Sequence, residues 1–263
     1  MSNFRTAIIG GGNLGQAIVN GLLSNKNIDP ASVTLTRRDL PKIQHLSAKG
    51  IEVTSKNVEA VKNSKIIILA VKPYNLEGIC TEIKSSIKTD HHIVVSTVSG
   101  VSIDHLKGLL GENVTIFRAM PNTAADVQES VTCLCGEESK ESYQLVKMLF
   151  NCCGSTIKIN ENLMEAATVL GACGIAYVLR FMRAMVQGGI QIGFDAKTAE
   201  AIVNQTVIGA ATLLTENGNH AEAEIDKVTT PKGCTIAGLN EMEHNGFSSA
   251  LIKGITTSFE EIG

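Results

Sequence analysis

The chain has 263 residues, enough for one large domain or two smaller ones, and we expect two. Hydrophobic residues make up 44% of it, charged residues 19%, and the net charge is −3, so neither a disordered protein nor a nucleic-acid-binding surface is expected. No run of about 18 uncharged apolar residues occurs and the N-terminus leads directly into a strand, so we expect a cytoplasmic protein with no membrane partner.

The first predicted element is a strand that turns through glycines into a helix. Apolar residues 6–9 lead into Gly10-Gly-Gly-Asn-Leu-Gly15, and a helix is expected to follow as far as residue 23. Gly10, Gly12 and Gly15 have no Cβ, which permits a sharp turn, close approach of a pyrophosphate and close helix packing. The N–H groups and dipole of the helix start favour an anion. A plain turn is the alternative, but the order of the elements favours a dinucleotide site.

The second predicted strand, Ser32–Thr36, ends at Arg37-Arg38, and the acidic residue Asp39 comes only after them. An acid near this position accepts hydrogen bonds from the adenosine ribose, whereas arginine accommodates a 2′-phosphate. The two arginines therefore favour NADP as the cofactor, bound through forked hydrogen bonds from guanidinium to phosphate. Two solvated arginines ahead of a helix are the alternative interpretation.

Apolar strands and helices continue to alternate, which predicts an α/β domain over residues 1–160 with a doubly wound, Rossmann-type parallel sheet. Ala70-Val-Lys72 lie at the carboxyl end of one buried strand and Arg118–Thr123 follow another, so both segments would lie at the ligand-binding edge, although the second could be only a turn. The predicted strands are 51–54, 66–71, 93–98 and 114–117, with edge strands at 131–135 and 155–159, and the predicted helices are 41–49, 57–62, 76–87 and 141–151.

Residues 161–263 are predicted to form an all-helical domain. Residues 162–187 are apolar on most sides, so this helix must be buried. Asp195 is placed to cap a second helix that ends at Glu216-Asn-Gly218, and shorter helices are expected over 222–227, 235–244 and 247–257. A helical layer this apolar more often packs against a second subunit than stands alone, so we expect a dimer.

The seven cysteines come without an export signal and are expected to be free thiols. Cys133-Leu-Cys135 and Cys152-Cys153 have neither a second C-x-x-C pair nor a suitably spaced histidine. We therefore expect buried apolar side chains at these positions and no metal site.

A second candidate anion site precedes the helix that starts near Thr235. In Val228-Thr-Thr-Pro-Lys-Gly-Cys-Thr235, a glycine and neighbouring hydroxyls leave several N–H groups converging at the helix start. This suits a carboxylate, with further hydrogen bonds from Thr230 and Thr235. An ordinary N-cap by Thr229, Thr230 or Thr235 explains the spacing equally well.

These motifs resemble those of the pyrroline-5-carboxylate reductase family over nearly the whole chain. They are, in order, Gly10–Gly15, Thr54-Ser-Lys-Asn57, Ala70-Val-Lys-Pro73, Arg118-Ala-Met-Pro-Asn-Thr123 and Val228–Thr235, and the last two are the most specific. The resemblance implies reduction of 1-pyrroline-5-carboxylate to L-proline and a helical domain that interlocks with its dimer mate. It further implies that the dinucleotide is held by Gly10, Gly12, Asn13, Leu14, Gly15, Arg37, Arg38, Asn57, Ala70, Val71, Lys72, Pro73, Ala119, Met120, Pro121 and Asn122, and the substrate carboxylate and ring nitrogen by Thr230, Gly233, Cys234 and Thr235.

Some positions depart from the family pattern. Gly171-Ala-Cys-Gly-Ile-Ala-Tyr177 stands where the family has Ser-Gly-Ser-Gly-Pro-Ala-Tyr, Ala124 replaces a proline, and Lys232 lies where glycine is common. Two alternatives therefore stay open: a reductase of a related cyclic imine acid, and a non-catalytic NADP-binding regulatory protein.

Hydride transfer from NADPH, or from NADH as a possible second donor, to a protonated imine depends mainly on orientation. Thr235 is the candidate catalytic residue, positioning the ring nitrogen and relaying a proton. A β-hydroxyacid dehydrogenase would need a lysine on the long helix, and none occurs between Lys158 and Lys197. In a reductase that acts on a deazaflavin, the candidate anion site over residues 229–235 would have no clear ligand. The expected assembly is a homodimer or a larger assembly of dimers.

Overall fold

The structure is a computed structural model and describes residues 4–136 and 140–262; the outermost residues of the two predicted domains, 1–3 and 263, lie outside this range. The chain divides into two compact units. The first comprises Met1–Ile175 with Glu261–Gly263, and the second comprises Ala176–Glu260.

The first unit is built on one eight-stranded sheet with the order β3-β2-β1-β4-β5-β6-β7-β8. Strands β1 to β6 are parallel, and the order reverses between β1 and β4. This confirms the doubly wound sheet, and the reversal marks the crevice where such folds bind nucleotides. The strands are β1 (Thr6–Ile9), β2 (Val33–Thr36), β3 (Glu52–Thr54), β4 (Ile66–Leu69), β5 (Ile93–Ser96), β6 (Thr115–Met120), β7 (Ser130–Gly136) and β8 (Gly154–Lys158).

The last two strands correct the sequence prediction. β7 runs antiparallel to β6, and β8 pairs with β7, so of the two predicted edge strands only β8 lies at an edge of the sheet; β3 forms the other edge. The connection over residues 121–129 explains the reversal. A parallel return needs a crossover of a dozen or more residues, and this connection is too short to provide one.

Alternating side chains of the central strands fill a core on each face of the sheet. Ile66 and Ile68 point into one apolar cluster, and Ile67 and Leu69 into the other. Burial on both faces is why these strands are continuously apolar. The helices of this unit are α1 (Asn13–Ser24), α2 (Asn57–Lys62), α3 (Pro73–Ile83), α4 (Ile103–Leu110), α5 (Lys140–Asn151) and α6 (Met164–Ala167).

Three local features differ from the predictions. The helix expected over 41–49 is two 3₁₀ segments, Leu40–Lys42 and Gln44–Lys49, because the fully buried Ile43 between them leaves helical geometry at φ −126°. Helix α4, capped by the hydroxyl of Ser102, was not predicted. The long helix expected from residue 162 is interrupted by a π-helical turn at Thr168–Cys173.

The second unit is helical, and its helices are α7 (Gly174–Gln191), α8 (Ala196–Asn217), α9 (Ala221–Val228), α10 (Cys234–His244) and α11 (Phe247–Glu260). α7 starts two residues before the unit boundary. The predicted cap of α8 is confirmed, since the Asp195 carboxylate accepts the N–H groups of Lys197 and Thr198, both at 3.0 Å. Gly218, at φ +64°, ends the helix as expected.

Apolar side chains of these helices remain exposed in the single chain. Only 11% of the most apolar 18-residue window within Glu161–Gln191 is buried, and this segment is long and apolar enough, by length and composition, to cross a membrane.

Candidate functional site

The glycine turn between β1 and α1 is dictated by close packing at two of its three glycines. Gly10 has φ +117°, and a Cβ there would collide with the carbonyl oxygen of Ala70. A Cβ at Gly15 would collide with the carbonyl oxygen of Gly10. At Gly12, by contrast, no atom of the described chain lies within 4 Å of the Cβ position. The space above Gly12 is therefore open to a ligand.

Helix α1 begins in that open space. Its N-cap is Gly12, and no side chain among the described residues caps it. The N–H groups of Asn13, Leu14 and Gly15 precede the first helical hydrogen bond, which Gln16 donates to the carbonyl of Gly12 at 3.0 Å. Uncapped N–H groups at the positive end of a helix suit a pyrophosphate. This half of the cofactor fits the residues that are present.

The end of β2 anchors the turn. The N–H groups of Gly10 and Gly11 both donate to the carbonyl oxygen of Thr36, at 3.2 and 2.7 Å. The guanidinium of Arg37 donates to the carbonyl oxygen of Gly11. Arg38 is exposed. The two predicted phosphate ligands thus lie in different surroundings.

Asn57, the first residue of α2, is hydrogen-bonded to the last residue of β2. Its side chain is 8% exposed, accepts the Thr36 hydroxyl at 2.6 Å and donates to Glu82 at 2.9 Å. In this structure its amide is engaged with protein groups.

The other predicted cofactor residues lie at the carboxyl ends of β4 and β6. Ala70 and Val71, after β4, are half-buried, Lys72 is the exposed N-cap of α3, and the exposed Pro73 is its first residue. Ala119 and Met120 are the last two residues of β6, Pro121 and Asn122 follow it, and all four are buried.

Asn122 joins β6 to the π-helical turn. Its side chain donates to the carbonyl oxygen of Gly171 at 3.0 Å and accepts the N–H of Ala124 at 3.0 Å, while its own N–H donates to the Ser130 hydroxyl. Asn122 therefore fixes the segment that carries the departure from the family pattern.

Arg118 is a structural residue to which sequence reasoning assigned no role. It is 3% exposed, and its guanidinium pairs with Glu165 at 2.6 Å and Glu161 at 3.4 Å. The same carboxylates accept the N–H groups of Gly100 and Ile103, at 3.1 and 2.7 Å. In the sequence, Arg118 directly follows the predicted apolar strand 114–117, and the structure places it inside β6.

The predicted substrate residues lie in the second unit, around the start of α10. The N-cap is Gly233, and within the described ranges no side chain caps this helix. The threonine N-cap that was an alternative interpretation is therefore not formed. Cys234 and Thr230 are exposed and Thr235 is half-buried. The Thr230 hydroxyl lies so close to Gly233 that a Cβ there would come within 2.5 Å of it.

Cys135, Cys152 and Cys153 are buried as expected, and so is Cys80, whereas Cys133 and Cys173 are half-buried and Cys234 is exposed. All seven are free thiols, and burial raises the pKa of Cys153 to about 12 and that of Cys135 to about 11. A thiol with so high a pKa is a poor nucleophile and a poor ligand at neutral pH. In the part of the chain that the structure describes, no group of three or more His, Cys, Asp or Glu side chains could hold a metal ion.

The doubly wound sheet, the glycine turn and the helical second unit define the class of two-domain, dinucleotide-dependent oxidoreductases. Comparisons with known proteins agree with this class. Residues 5–100 match the family model described as NADP oxidoreductase, coenzyme F420-dependent, and residues 161–262 match that for pyrroline-5-carboxylate reductase dimerisation.

Individual relatives identify the family. The chain is 47% identical to pyrroline-5-carboxylate reductase 1 of Dictyostelium discoideum over 97% of its length, but spans only 48% of that protein. It is 41% identical to pyrroline-5-carboxylate reductase 2 of the same organism, covering 99% of this chain and 92% of the relative. A solved pyrroline-5-carboxylate reductase from Coxiella burnetii is 30% identical with a TM-score of 0.88, covering 99% of this chain and 98% of its own. The chain belongs to the pyrroline-5-carboxylate reductase family.

Proposed function

We propose that this protein reduces 1-pyrroline-5-carboxylate to L-proline, with NADPH as the preferred hydride donor and NADH as a possible second one. The observation that carries the proposal is the start of α10, where Gly233 leaves the first N–H groups uncapped beside the Thr230 hydroxyl. A small carboxylate matches these donors in charge and size. The family membership supplies the substrate that carries such a carboxylate.

We assign separate residues to the cofactor and to the substrate. The uncapped start of α1 would hold the cofactor pyrophosphate above Gly12, and the bound cofactor supplies the hydride. Thr230, Gly233 and Cys234 would hold the substrate carboxylate, and the Thr235 hydroxyl would hydrogen-bond the ring nitrogen. A protonated imine is already electrophilic, so holding the reactants in place accounts for much of the rate, an effect that reaches about 7–11 kcal/mol.

Thr235 would act by positioning first and by proton relay second, because a hydroxyl at its ordinary pKa is a weak acid. We expect Thr235→Ala to lower kcat/KM for the imine at least tenfold while the NADPH dissociation constant is unchanged. Thr235→Ser, which keeps the hydroxyl, should restore most of the activity. Unchanged turnover in Thr235→Ala would remove this residue from the mechanism.

We further propose a homodimer, or a larger assembly of dimers, formed through the domain over residues 161–263. The match of residues 161–262 to the dimerisation model supports this, as do exposed apolar side chains such as Leu179, Ile202 and Leu251. The exposed Arg180 and Arg183 interrupt the apolar segment of α7, and charges there disfavour a bilayer. Seven free thiols support a reducing compartment such as the cytoplasm.

The second candidate is an NADP-binding regulatory protein without turnover, and a reductase of a related cyclic imine acid is a third. Both are favoured by the altered residues Gly171–Ile175, most of which form the π-helical turn. NADPH oxidation measured with and without 1-pyrroline-5-carboxylate, and with other cyclic imine acids, distinguishes them. Imine-dependent oxidation supports the reductase, and NADPH binding without oxidation of any imine supports the regulator.

A further inference from the structure

Arg37 and Arg38 are neighbours in sequence, but the structure gives them different partners. Arg37 is half-buried, and its guanidinium donates to the carbonyl oxygen of Gly11. Arg38 is exposed and forms no hydrogen bond or ion pair with any residue that the structure describes. Arg37 therefore has part of its guanidinium held against the glycine turn, whereas every N–H donor of Arg38 is available to a ligand.

The contact made by Arg37 holds the glycine turn in place. The Gly11 carbonyl oxygen also accepts the side-chain amide of Gln16 at 3.1 Å, so both of its lone pairs are engaged. The N–H of Gly11 donates to the Thr36 carbonyl on the other side. A charge-assisted hydrogen bond of this kind is stronger than a neutral one. Removing the guanidinium would loosen the turn that faces the pyrophosphate, a group common to NADPH and NADH.

The other charged groups near the end of β2 are already paired. Lys42 lies 2.9 Å from the Asp39 carboxylate and holds the pKa of that carboxyl below its ordinary value. Asp39 is thereby occupied and its charge offset, although an acid near this position would otherwise favour the free ribose hydroxyls of NADH. At the end of β3, the neighbouring strand, Lys56 pairs with Glu59 at 3.1 Å. Among the described cations at the ends of β2 and β3, Arg38 is the one without a hydrogen bond or an ion pair.

We propose that the two arginines have separate tasks: Arg38 binds the 2′-phosphate and sets the preference for NADPH, whereas Arg37 is a positioning residue for the glycine turn and serves both dinucleotides equally. This assignment rests on the proposed NADP-dependent function. It differs from the prediction that both arginines hold the phosphate. A guanidinium beside a phosphate dianion forms forked, charged hydrogen bonds that a ribose hydroxyl does not offer.

The test is direct binding, without turnover, of NADPH, NADH and adenosine 2′,5′-bisphosphate to the full-length protein, measured by calorimetry. The variants are Arg37→Met and Arg38→Met, with Arg38→Lys to retain the charge. Lys62→Met is the matched control, because Lys62 is an exposed cation in the last turn of α2. Thermal melting of each variant shows that its fold is kept.

Arg38→Met should raise the dissociation constants of NADPH and of the bisphosphate at least tenfold and change that of NADH less than twofold. Arg37→Met should raise the dissociation constants of NADPH and NADH by the same factor, about fivefold or more. Lys62→Met should change neither constant. The assignment would be overturned if Arg37→Met weakened the binding of NADPH but not of NADH. It would also be overturned if Arg38→Met left the ratio of the NADPH and NADH dissociation constants unchanged. If the unsubstituted protein binds both dinucleotides but reduces no imine, the proposed function is wrong while the assignment is still decided by these constants.

Discussion

Placing the same methyl group at Gly12 and at Gly15 should have opposite consequences. At Gly15 the added Cβ would overlap the Gly10 carbonyl, a backbone group that cannot rotate away. Overpacking of this kind costs about 3 kcal/mol, which lowers the melting temperature by about 6–12 °C at roughly 2–4 °C per kcal/mol. At Gly12 the described chain leaves 4 Å free, and φ −78° suits alanine. The loss there is limited to the weaker N-cap, about 1 kcal/mol or less.

Gly12→Ala should nevertheless weaken NADPH binding at least tenfold, because the methyl group occupies the space that the pyrophosphate needs. Melting curves and calorimetric titration with NADPH measure the two effects separately. Gly78→Ala is the control, since Gly78 lies exposed in α3 with the same open space around its Cβ position. Unchanged NADPH binding by Gly12→Ala would refute our placement of the pyrophosphate. A fully stable Gly15→Ala would refute the packing argument.

Two further predictions concern stability. His92 is 2% exposed, and its burial, with the nearby His91 and Lys88, holds the pKa of the imidazole below its ordinary 6.5. The unfolded chain then takes up a proton that the folded chain excludes, so the free energy of unfolding should fall as the pH drops below 6.5 and should not depend on this group at higher pH. In urea titrations at several pH values, His92→Asn should flatten the pH dependence of the free energy of unfolding, and the substitution of the exposed His91 by Asn should not. Equal pH profiles for the two variants would contradict the assignment of this dependence to His92. Arg118→Met leaves the two carboxylates without their cation and should lower the free energy of unfolding by about 3 kcal/mol. Glu165→Gln keeps an acceptor oxygen and should lower it by less in the same urea titrations. The reverse order would contradict the proposed network.

The elements that the sequence predicts well are those decided by local chemistry. The apolar run from Ile66 needs burial on both faces, which only a central strand provides. The Asp195 cap and the Gly218 stop of α8 act within a few residues of their own positions. The glycine turn between β1 and α1 is local in part: a Cβ at Gly15 would meet the nearby carbonyl oxygen of Gly10, whereas the carbonyl that excludes a Cβ at Gly10 belongs to Ala70 at the end of β4.

The elements that the sequence does not predict depend on distant partners. The carboxylates that pair with Arg118 lie 43 and 47 residues further along the chain. The different surroundings of Arg37 and Arg38 depend on the Gly11 carbonyl, 26 residues before Arg37. The break in the helix expected over 41–49 follows from the burial of Ile43 in the core. Spacing and residue type alone carry none of this information.

The proposed function depends on one chemical event, which is hydride transfer to the imine carbon. The direct measurement uses NADPH carrying deuterium at C4 of the nicotinamide, with 1-pyrroline-5-carboxylate as the acceptor. With deuterium on one of the two faces of the nicotinamide, we expect the L-proline formed to carry one deuterium. The label should lie on the ring carbon that is bonded to nitrogen but does not carry the carboxylate. NADPH oxidation that leaves the proline unlabelled with either face deuterated, or no oxidation with this imine, would contradict the proposed function.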